Sequence, residues 1–263
     1  MNVVDLRHLE WGTGINGTSK GLFPKVKSGR YYFKMSAYNM NVGVYGNQSI
    51  SEVLASRLAH IIGVSCVEYR PVYGLIRLDG REFKTLICVS EEYKKDGETA
   101  IPIENYYTAW RGSRGNGSVM EMCEGIGELG SLYKMFVFDY LINNIDRHGR
   151  NLEILVGKKG KISLSPLFDN GLSLFSTKAD HELDSYLDRD DLTVNNFIGE
   201  MNLRRNLEYI DKKIVLNRIK EEHREYLFRD LREFISKERE EFIWRRVWRR
   251  FNETRKIPYI SWR

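Results

Sequence analysis

Apolar and polar residues follow short local patterns along the first part of the chain. Segment 30–35, RYYFKM, comes after a loop rich in Gly, Ser and Thr and is typical of a strand. Segment 49–64 has the apolar spacing of an amphipathic helix, with Ser49 or Ser51 as its candidate N-cap. The apolar stripe of this helix consists of Val53, Leu54, Leu58, Ile61 and Ile62. The pattern therefore predicts a loop, a strand and then a helix.

Two strand-like runs come next, at 68–78 and 83–89, with Asp79-Gly80 between them. This dipeptide is a strong signal for a β-hairpin turn. By contrast, 39–48 and 111–118 are polar or rich in glycine and predict flexible connections. The first ninety residues therefore end in a predicted hairpin.

The pattern changes near Tyr93. Strand-like runs precede this residue, whereas helical patterns follow it and the C-terminal end is rich in helix-forming Lys, Arg and Glu. A chain of 263 residues is long enough for two lobes that share a cleft. We expect an α+β fold with a β-rich N-terminal lobe at 1–92 and a mainly helical C-terminal lobe at 93–263.

Composition places the chain among ordinary globular proteins. Hydrophobic residues make up 42% and charged residues 29%, which excludes a disordered or fibrous protein. The net charge of +5 favours anionic ligands but is too small for a dedicated nucleic-acid-binding protein. Three cysteines without a CxxC pair predict reduced thiols, with neither a disulfide nor a zinc site.

The N-terminal sequence MNVVDLRHLEWG has no basic segment followed by an apolar one. Nowhere does the sequence contain about 18 consecutive apolar residues. We therefore expect no transmembrane segment and a cytoplasmic protein, with secretion as an effector left open.

A predicted helix at 132–142 is apolar nearly all round, which indicates a position in the core. It is followed by the polar segment NNIDRHGRN at 143–151. Polar groups so close to a core need partners. We infer that something outside the fold supplies some of them, which indicates a functional loop.

Asp146 and Asn151 have the residue types and the spacing that phosphoryl transfer requires. A carboxylate orients the attacking hydroxyl and accepts its proton, and an amide oxygen helps to hold Mg²⁺ against the phosphates. The spacing D-x-x-x-x-N is that of the protein-kinase catalytic loop. After a hairpin-like stretch with Gly157 and Gly160 at its turn, Asp169 is the natural second metal ligand. The sequence predicts Asp146 as the catalytic base and Asn151 and Asp169 as ligands of Mg²⁺.

The segments NNIDRHGRN and SPLFDNGLSL resemble the catalytic and metal-binding segments of the HipA-like serine/threonine kinases, and more distantly those of phosphoinositide kinases. The chain is similar to the short members of the HipA-like family, since it has no room for the additional N-terminal subdomain of the longer ones. The resemblance implies a two-lobed protein-kinase-like fold, with ATP and Mg²⁺ as cofactors. Where protein kinases have the DFG motif, this chain has Asp169-Asn170-Gly171.

The resemblance also implies positions that bind ATP. In that family a strand lysine contacts the phosphates and a helix glutamate holds the lysine, which here correspond to Lys34 and Glu52. A loop of small residues with a lysine covers the phosphates. Its counterpart here consists of Gly14, Gly17, Thr18, Ser19 and Lys20. The ordinary alternatives are a flexible loop, a solvated strand lysine and a glutamate in the first turn of a helix.

The predicted function is an ATP-dependent serine/threonine protein kinase that acts on a protein hydroxyl. Autophosphorylation of the phosphate loop, at Thr13, Thr18 or Ser19, is part of what the resemblance implies. The alternatives are a kinase of lipids or small molecules with the same residues, and an inactive nucleotide-binding module that binds a partner. The expected partner is an unidentified protein substrate, and the resemblance adds an antitoxin or other regulatory partner.

Two charged segments allow two interpretations each. The acidic residues after Asp169 form a solvated loop or face the substrate, which would then be basic. They are Asp180, Glu182, Asp184, Asp188, Asp190 and Asp191. The Trp- and Arg-rich helix near the C-terminus docks onto its lobe with the arginine stems lying along it, or it binds a membrane surface or RNA.

Overall fold

The computed structural model describes residues 1–12, 23–190 and 192–263. The predicted phosphate loop, with Gly14, Gly17, Thr18, Ser19 and Lys20, lies outside the described residues, as does Asp191. In chain order, the strands and helices are β1 (Val3–Asp5), β2 (Lys25–Ser28), β3 (Tyr31–Met35), β4 (Ala37–Asn39), β5 (Gly43–Tyr45), α1 (Gln48–Ile62), β6 (Tyr69–Leu78), β7 (Arg81–Glu91), β8 (Thr99–Pro102), α2 (Ile103–Arg114), α3 (Val119–Gly125), α4 (Leu129–Ile142), β9 (Asp146–Arg147), β10 (Glu153–Val156), β11 (Ile162–Leu164), β12 (Asn195–Asn196), α5 (Leu203–Asn206), β13 (Ile214–Leu216), α6 (His223–Phe228), α7 (Lys237–Thr254) and β14 (Ile260–Trp262).

A five-stranded sheet in the order β1-β6-β7-β3-β2 forms the first part of the fold. The strand β1 pairs with β6 in parallel, and the other neighbours are antiparallel. The turn between β6 and β7 has positive φ at both Asp79 (50°) and Gly80 (74°), as a tight hairpin turn requires. The hairpin predicted at this dipeptide is therefore confirmed. The boundary between lobes at residues 92 and 93 stays a prediction.

Several elements differ from the sequence-based expectations. The segment 39–48 was expected to be flexible, yet it takes part in a hairpin of β4 and β5. The helix α2 continues to Arg114, well into the connection predicted at 111–118. Three-residue strands are too short to show a periodic pattern, which explains the first of these errors.

The helix α1 is buried at every position except His60. It packs against β6 and β7 on one side and against α6 on another, so the predicted amphipathic stripe described only part of its contacts. The N-cap is Asn47, not Ser49 or Ser51. The Ser51 hydroxyl instead donates to the Ser173 carbonyl at 3.1 Å, which joins the start of α1 to the segment that follows Asp169.

The helix α4 forms the centre of the larger hydrophobic core, as its apolar sequence predicted. Leu132, Phe138 and Ile142 are fully buried. The helix ends at Ile142, and its C-cap Asn143 has a left-handed φ of 52°. The hairpin of β10 and β11 also forms where it was expected, with β8 added to its edge. Together these elements place the polar loop 143–151 next to the core.

The C-terminal helix α7 docks onto the fold, as one of the two interpretations predicted. Phe242, Trp244 and Phe251 are buried. The stems of its arginines do not merely lie along the surface, because Arg246 and Arg250 are only 1% and 2% exposed. No helix in the part of the chain that the structure describes is long and apolar enough to cross a membrane.

The buried arginines of α7 bind the acidic segment. Asp190 Oδ1 lies 2.8 Å from Arg246 Nη2 and 2.9 Å from Arg250 Nη2, and Asp190 Oδ2 lies 3.1 Å from Arg249 Nη2. Asp188 also pairs with Arg249, at 2.8 Å. Asp190 is therefore neither solvated nor available to a basic substrate, because its charge is neutralised within the fold, whereas the Asp188 side chain is 85% exposed.

Candidate active site

Lys34 connects two carboxylates that are far apart in the sequence. Its Nζ lies 3.0 Å from Glu52 Oε1 on α1 and 3.0 Å from Asp169 Oδ1. It also donates to the Tyr69 hydroxyl at 3.2 Å. The ion pair that the sequence predicted between Lys34 and Glu52 is present, while their role toward ATP stays a prediction.

These charges shift one another's pKa. Burial alone would lower the pKa of Lys34, but the carboxylates of Asp169 and Glu52 outweigh it and raise that pKa well above its ordinary value. Burial raises the pKa of Glu52. Burial acts in the same direction on Asp169, yet Lys34 outweighs it and lowers the pKa of Asp169. Lys34 therefore remains charged and Asp169 ionised at neutral pH.

The two carboxylates differ in their access to solvent. The Glu52 side chain is 3% exposed, whereas that of Asp169 is 43% exposed. Glu52 Oε2 accepts a hydrogen bond from the Asn170 backbone N–H at 2.8 Å, so both of its oxygens are bonded. Among the described residues, no hydrogen bond reaches Asp169 Oδ2. Asp169 is thus the carboxylate that a cation from solvent can reach.

Asp146 lies in β9, which pairs in parallel with β12. Its Oδ1 accepts from Asn195 Nδ2 at 2.8 Å, and its Oδ2 lies 3.8 Å from His148 Nε2. The side chain is 26% exposed, so it is held on one side and accessible on the other. Asn195 is a site residue that the sequence analysis missed, because no local motif marks it.

Asn151 lies on the other end of the same loop. Its Nδ2 donates to the Asp146 carbonyl at 3.0 Å, and its backbone N–H donates to the His148 carbonyl at 2.9 Å. Residue 151 is 6% exposed. The loop is therefore closed on itself, with Asp146 and Asn151 at fixed positions relative to each other.

Arg147 joins the loop to α4 and to the segment around Asp169. Its guanidinium forms a two-pronged ion pair with Asp139 of α4, at 3.0 and 2.8 Å. Both side chains are buried. Nη1 donates to the carbonyls of Asn151 (3.1 Å) and Phe168 (2.9 Å). One guanidinium therefore brings the two predicted metal-binding segments together.

Arg147 also reaches the residue after Asp169, since its Nη2 donates to Asn170 Oδ1 at 2.6 Å. Burial would lower the pKa of Arg147, but Asp139 outweighs it and raises that pKa. The sequence analysis included Arg147 in its motif without assigning it a role. Its role in the structure is to fix the backbone on which Asp146, Asn151 and Asp169 are carried.

Lys25 is a second cation near Asp169 that the sequence analysis missed. The register of β2 and β3 places Lys25 opposite Lys34, so the two side chains share a face of the sheet. Burial lowers the pKa of Lys25, with Asp169 opposing this shift and Lys34 adding to it. Gly12 and Lys25 also exchange backbone hydrogen bonds, at 3.3 and 2.8 Å. Gly12, the last described residue before the segment that contains the predicted phosphate loop, therefore lies beside Lys25.

Known proteins are similar to this chain in fold, whereas sequence comparisons find no match. Neither a protein-family model nor a curated protein matches the sequence. Among solved structures, the fold is similar to that of CtkA, a proinflammatory kinase of Helicobacter pylori. The TM-score is 0.61 and the identity 14%, with 95% of this chain and 94% of that chain covered.

A second solved structure with some similarity is HipA of Shewanella oneidensis MR-1, in a complex with HipB and operator DNA. The TM-score is 0.44 and the identity 14%, with 90% of this chain and 64% of that chain covered. This score is too low to support a comparison of folds. The similarity to CtkA, over nearly the full length of both chains, shows that the present chain has an α+β, kinase-like fold.

Proposed function

We propose that this protein is an ATP- and Mg²⁺-dependent serine/threonine protein kinase. The observation that carries the proposal is the position of Lys34 between Glu52 and Asp169, next to a loop in which Arg147 fixes Asp146 and Asn151. Phosphoryl transfer depends mainly on positioning and on neutralisation of charge. A rigid cluster with a reachable carboxylate meets both requirements.

Lys34 and Lys25 are the proposed contacts of the ATP phosphates. Lys34 is held by Glu52, which is buried and cannot leave the core, whereas Asp169 is half exposed. A phosphate oxygen can therefore replace Asp169 as the second partner of Lys34. The loop of Gly14, Gly17, Thr18, Ser19 and Lys20 is proposed to cover the phosphates, and the pairing of Gly12 with Lys25 supports this proposal, because Gly12 precedes that loop in the sequence.

The residues present also suit Mg²⁺. This ion prefers oxygen ligands and is usually bound by one or two protein side chains together with substrate phosphates. Asp169 Oδ2 has no hydrogen-bond partner among the described residues, and the Nδ2 end of Asn151 faces the Asp146 carbonyl. Asp169 and the amide oxygen of Asn151 would therefore hold the ion. When bound, Mg²⁺ neutralises charge on the phosphates.

Asp146 is the proposed catalytic base. Asn195 binds its Oδ1, which leaves the accessible Oδ2 to orient the acceptor hydroxyl and to accept its proton. The hydroxyl oxygen forms a bond to the γ-phosphorus, and the bond between this phosphorus and the bridging oxygen of ADP breaks. Because Asp146 only positions the acceptor and takes a proton, its removal should slow turnover and leave ATP binding nearly intact.

Mass spectrometry of the purified protein and of a cell lysate after incubation with Mg·ATP tests this proposal. We expect phosphorylated serine or threonine in the wild-type reaction and its loss with Asp146→Asn. Radiolabelled ATP offered to protein, lipid and inositol acceptors identifies the acceptor class. Transfer to lipid or inositol alone would contradict a protein kinase. A rise in melting temperature with ATP, without transfer to any acceptor, would indicate an inactive nucleotide-binding module.

A further inference from the structure

The first turn of α2 lies against the catalytic loop. The Glu104 backbone N–H donates to the Gly149 carbonyl at 3.5 Å. A Cβ atom added to Gly149 would lie 2.7 Å from Glu104 Oε2, so the carboxylate of Glu104 is in close contact with the loop. Gly149 lies between Asp146 and Asn151 in the sequence. Glu104 therefore places a carboxylate beside the loop that carries the proposed base and one proposed metal ligand.

This carboxylate has no partner among the described residues. Glu104 is half-buried, and within the ranges that the structure describes no hydrogen bond or ion pair reaches its two carboxylate oxygens. Two arginines of the neighbouring segments do not neutralise it. Arg150, which follows Gly149, is exposed, and the Arg111 guanidinium lies over the Tyr107 ring, with Cζ 5.8 Å from the ring centre. Since a carboxylate that loses water needs a donor or a cation in exchange, Glu104 points to a cation from outside the fold.

An aromatic side chain borders the same point of the loop. The Cβ atom added to Gly149 would lie 3.1 Å from Phe197 Cδ2, so the Phe197 ring and the Glu104 carboxylate both lie beside Gly149. The ring packs edge-on against Tyr107, with the centroids 6.3 Å apart, and both rings are half-buried. A guanidinium forms an ion pair with a carboxylate and stacks on an aromatic ring. A carboxylate and a ring at one point therefore suit an arginine side chain.

The strand β12 connects this position to the proposed catalytic base. Asn195 binds Asp146, and the Phe197 N–H donates to the Arg147 carbonyl at 3.0 Å, which extends the pairing of β12 with β9. Side chains two residues apart lie on the same face of a strand, roughly 7 Å from each other. Phe197 therefore lies on the face from which Asn195 reaches Asp146. An acceptor whose hydroxyl lies at Asp146 can place a side chain about two or three residues away at Glu104.

We propose that Glu104 selects an acceptor protein with an arginine within about three positions of the phosphorylated residue. The guanidinium would donate to the Glu104 carboxylate and contact the Phe197 ring. Asp190, one of the acidic residues that the sequence connected with a basic substrate, is neutralised by the arginines of α7, so Glu104 supplies the negative charge instead. This inference rests on the proposed function, because it assumes a protein acceptor.

Peptides that each contain one serine test the proposal. Each of the three positions on either side of the serine is replaced in turn by Arg, Ala or Glu, with glycine at the remaining positions. Binding of fluorescein-labelled peptides is measured by polarisation, and phosphate transfer from Mg·ATP is measured in parallel. We expect one position at which Arg binds about five- to tenfold more tightly than Ala, and Glu more weakly than Ala, as a partly exposed ion pair with a cation–π contact would give.

Two substitutions connect this preference to Glu104. Glu104→Gln removes the charge at nearly constant shape. It should abolish the preference for Arg with the melting temperature nearly unchanged, because no ion pair is lost within the described part of the chain. Glu104→Arg should reverse the preference, so that Glu binds more tightly than Arg at the same position, which a purely structural role of Glu104 would not produce. Glu221→Arg makes the same change of charge at an exposed position just before α6 and is the control that should keep the preference for Arg.

The proposal is overturned if no position prefers Arg, or if Glu104→Arg keeps that preference. It is also overturned if Glu104→Gln weakens ATP binding in calorimetry while the peptide preference persists, because the carboxylate would then bind the ribose hydroxyls of ATP. Failure of the proposed function gives a different result. In that case the preference and its reversal appear in peptide binding, but no phosphate is transferred. Phosphate transfer without a preference for Arg would leave the proposed kinase activity in place and overturn the role of Glu104.

Discussion

Two ionic clusters in the described part of the chain differ in how completely their carboxylate oxygens are paired. The site cluster consists of Lys34, Glu52 and Asp169, and the docking cluster consists of Asp190 with Arg246, Arg249 and Arg250. In the site cluster, Asp169 is 43% exposed and only one of its oxygens has a partner among the described residues. In the docking cluster, Asp190 is 12% exposed and both of its oxygens are bonded.

The difference shows which cluster can act on a ligand. In the docking cluster three arginines of α7 surround one carboxylate, and backbone carbonyls, among them those of Leu187 and Tyr140, accept further N–H groups. Only Arg246 Nε and Arg250 Nε have no hydrogen-bond partner within the cluster. This arrangement fixes α7 to the fold and leaves no carboxylate oxygen open. In the site cluster one cation is shared by two carboxylates, so an added cation or a phosphate can rearrange the contacts. Burial of charge alone therefore does not mark an active site, whereas an unpaired, reachable oxygen does.

The largest effect is expected from Asp190→Ala, which would leave three arginines around an empty position. Removal of one partner from a buried ion pair costs about 3–5 kcal/mol. We expect a loss of this size in the free energy of unfolding, measured with urea, and an unchanged turnover number for the protein that remains folded. Asp188→Ala is the control, since the Asp188 side chain is 85% exposed and its removal should cost less than about 1 kcal/mol. Equal losses in the two variants would contradict the structural role of Asp190.

Asp146→Asn should lower turnover and leave stability unchanged, which is the reverse of the result expected for Asp190→Ala. Loss of a general base slows a reaction by on the order of a hundredfold or more. Asparagine keeps the Oδ1 that accepts from Asn195, so the substitution of this partly exposed side chain should have little effect on folding. We expect turnover to fall by that factor with the urea midpoint unchanged. Asp96→Asn, at an exposed position far from the loop in sequence, should leave both quantities as they are. Unchanged turnover in Asp146→Asn would show that the assigned base is wrong.

Local signals predicted much of the fold. The Asp79-Gly80 turn, the buried helix α4 and the hairpin of β10 and β11 each follow from a few adjacent residues. The ion pair of Lys34 with Glu52, by contrast, was implied by the family resemblance and not by a local signal. The functional roles of these residues stay predictions, because the similarity to CtkA concerns the fold.

The residues that the sequence did not reveal depend on contacts between distant segments. Asn195 reaches Asp146 only because β12 pairs with β9, and Lys25 reaches the site through the register of β2 on β3. The acidic segment around Asp190 was expected to face solvent or substrate, because the arginines that neutralise it lie more than fifty residues further along the chain. No periodicity or short motif contains this information.

The pH dependence of stability separates the two clusters further. Burial would raise the pKa of Asp190, but Arg250 and Arg246 outweigh it and lower that pKa below the ordinary 3.8. The stabilisation that this carboxylate provides is therefore complete above about pH 4 and is lost as the pH falls through its folded-state pKa. In urea titrations between pH 3 and 7, the gap between wild type and Asp190→Asn should stay constant above pH 5 and narrow at the acid end. A gap that widens on acidification would contradict this assignment.

The smallest effect is expected from Lys25→Gln. Lys25 is near the site, but no carboxylate of the described residues forms an ion pair with it as Glu52 does with Lys34. Its contribution to phosphate binding should therefore resemble that of a partly exposed ion pair, about 0.5–1 kcal/mol. We expect ATP affinity to fall two- to fivefold, measured by calorimetry. Lys84→Gln, at an exposed position on β7, should leave the affinity unchanged. Equal affinities in the two variants would remove Lys25 from the site.

The measurement that tests the central claim most directly is calorimetric titration with ATP, with and without Mg²⁺, of wild type and Asp169→Ala. If the open carboxylate of the site cluster holds the metal, wild type should bind ATP at least about tenfold more tightly with Mg²⁺, a difference of 1.4 kcal/mol. Asp169→Ala should lose this dependence on Mg²⁺. Binding of ATP that is equally strong in both proteins and independent of Mg²⁺, or no binding at all, would contradict the account.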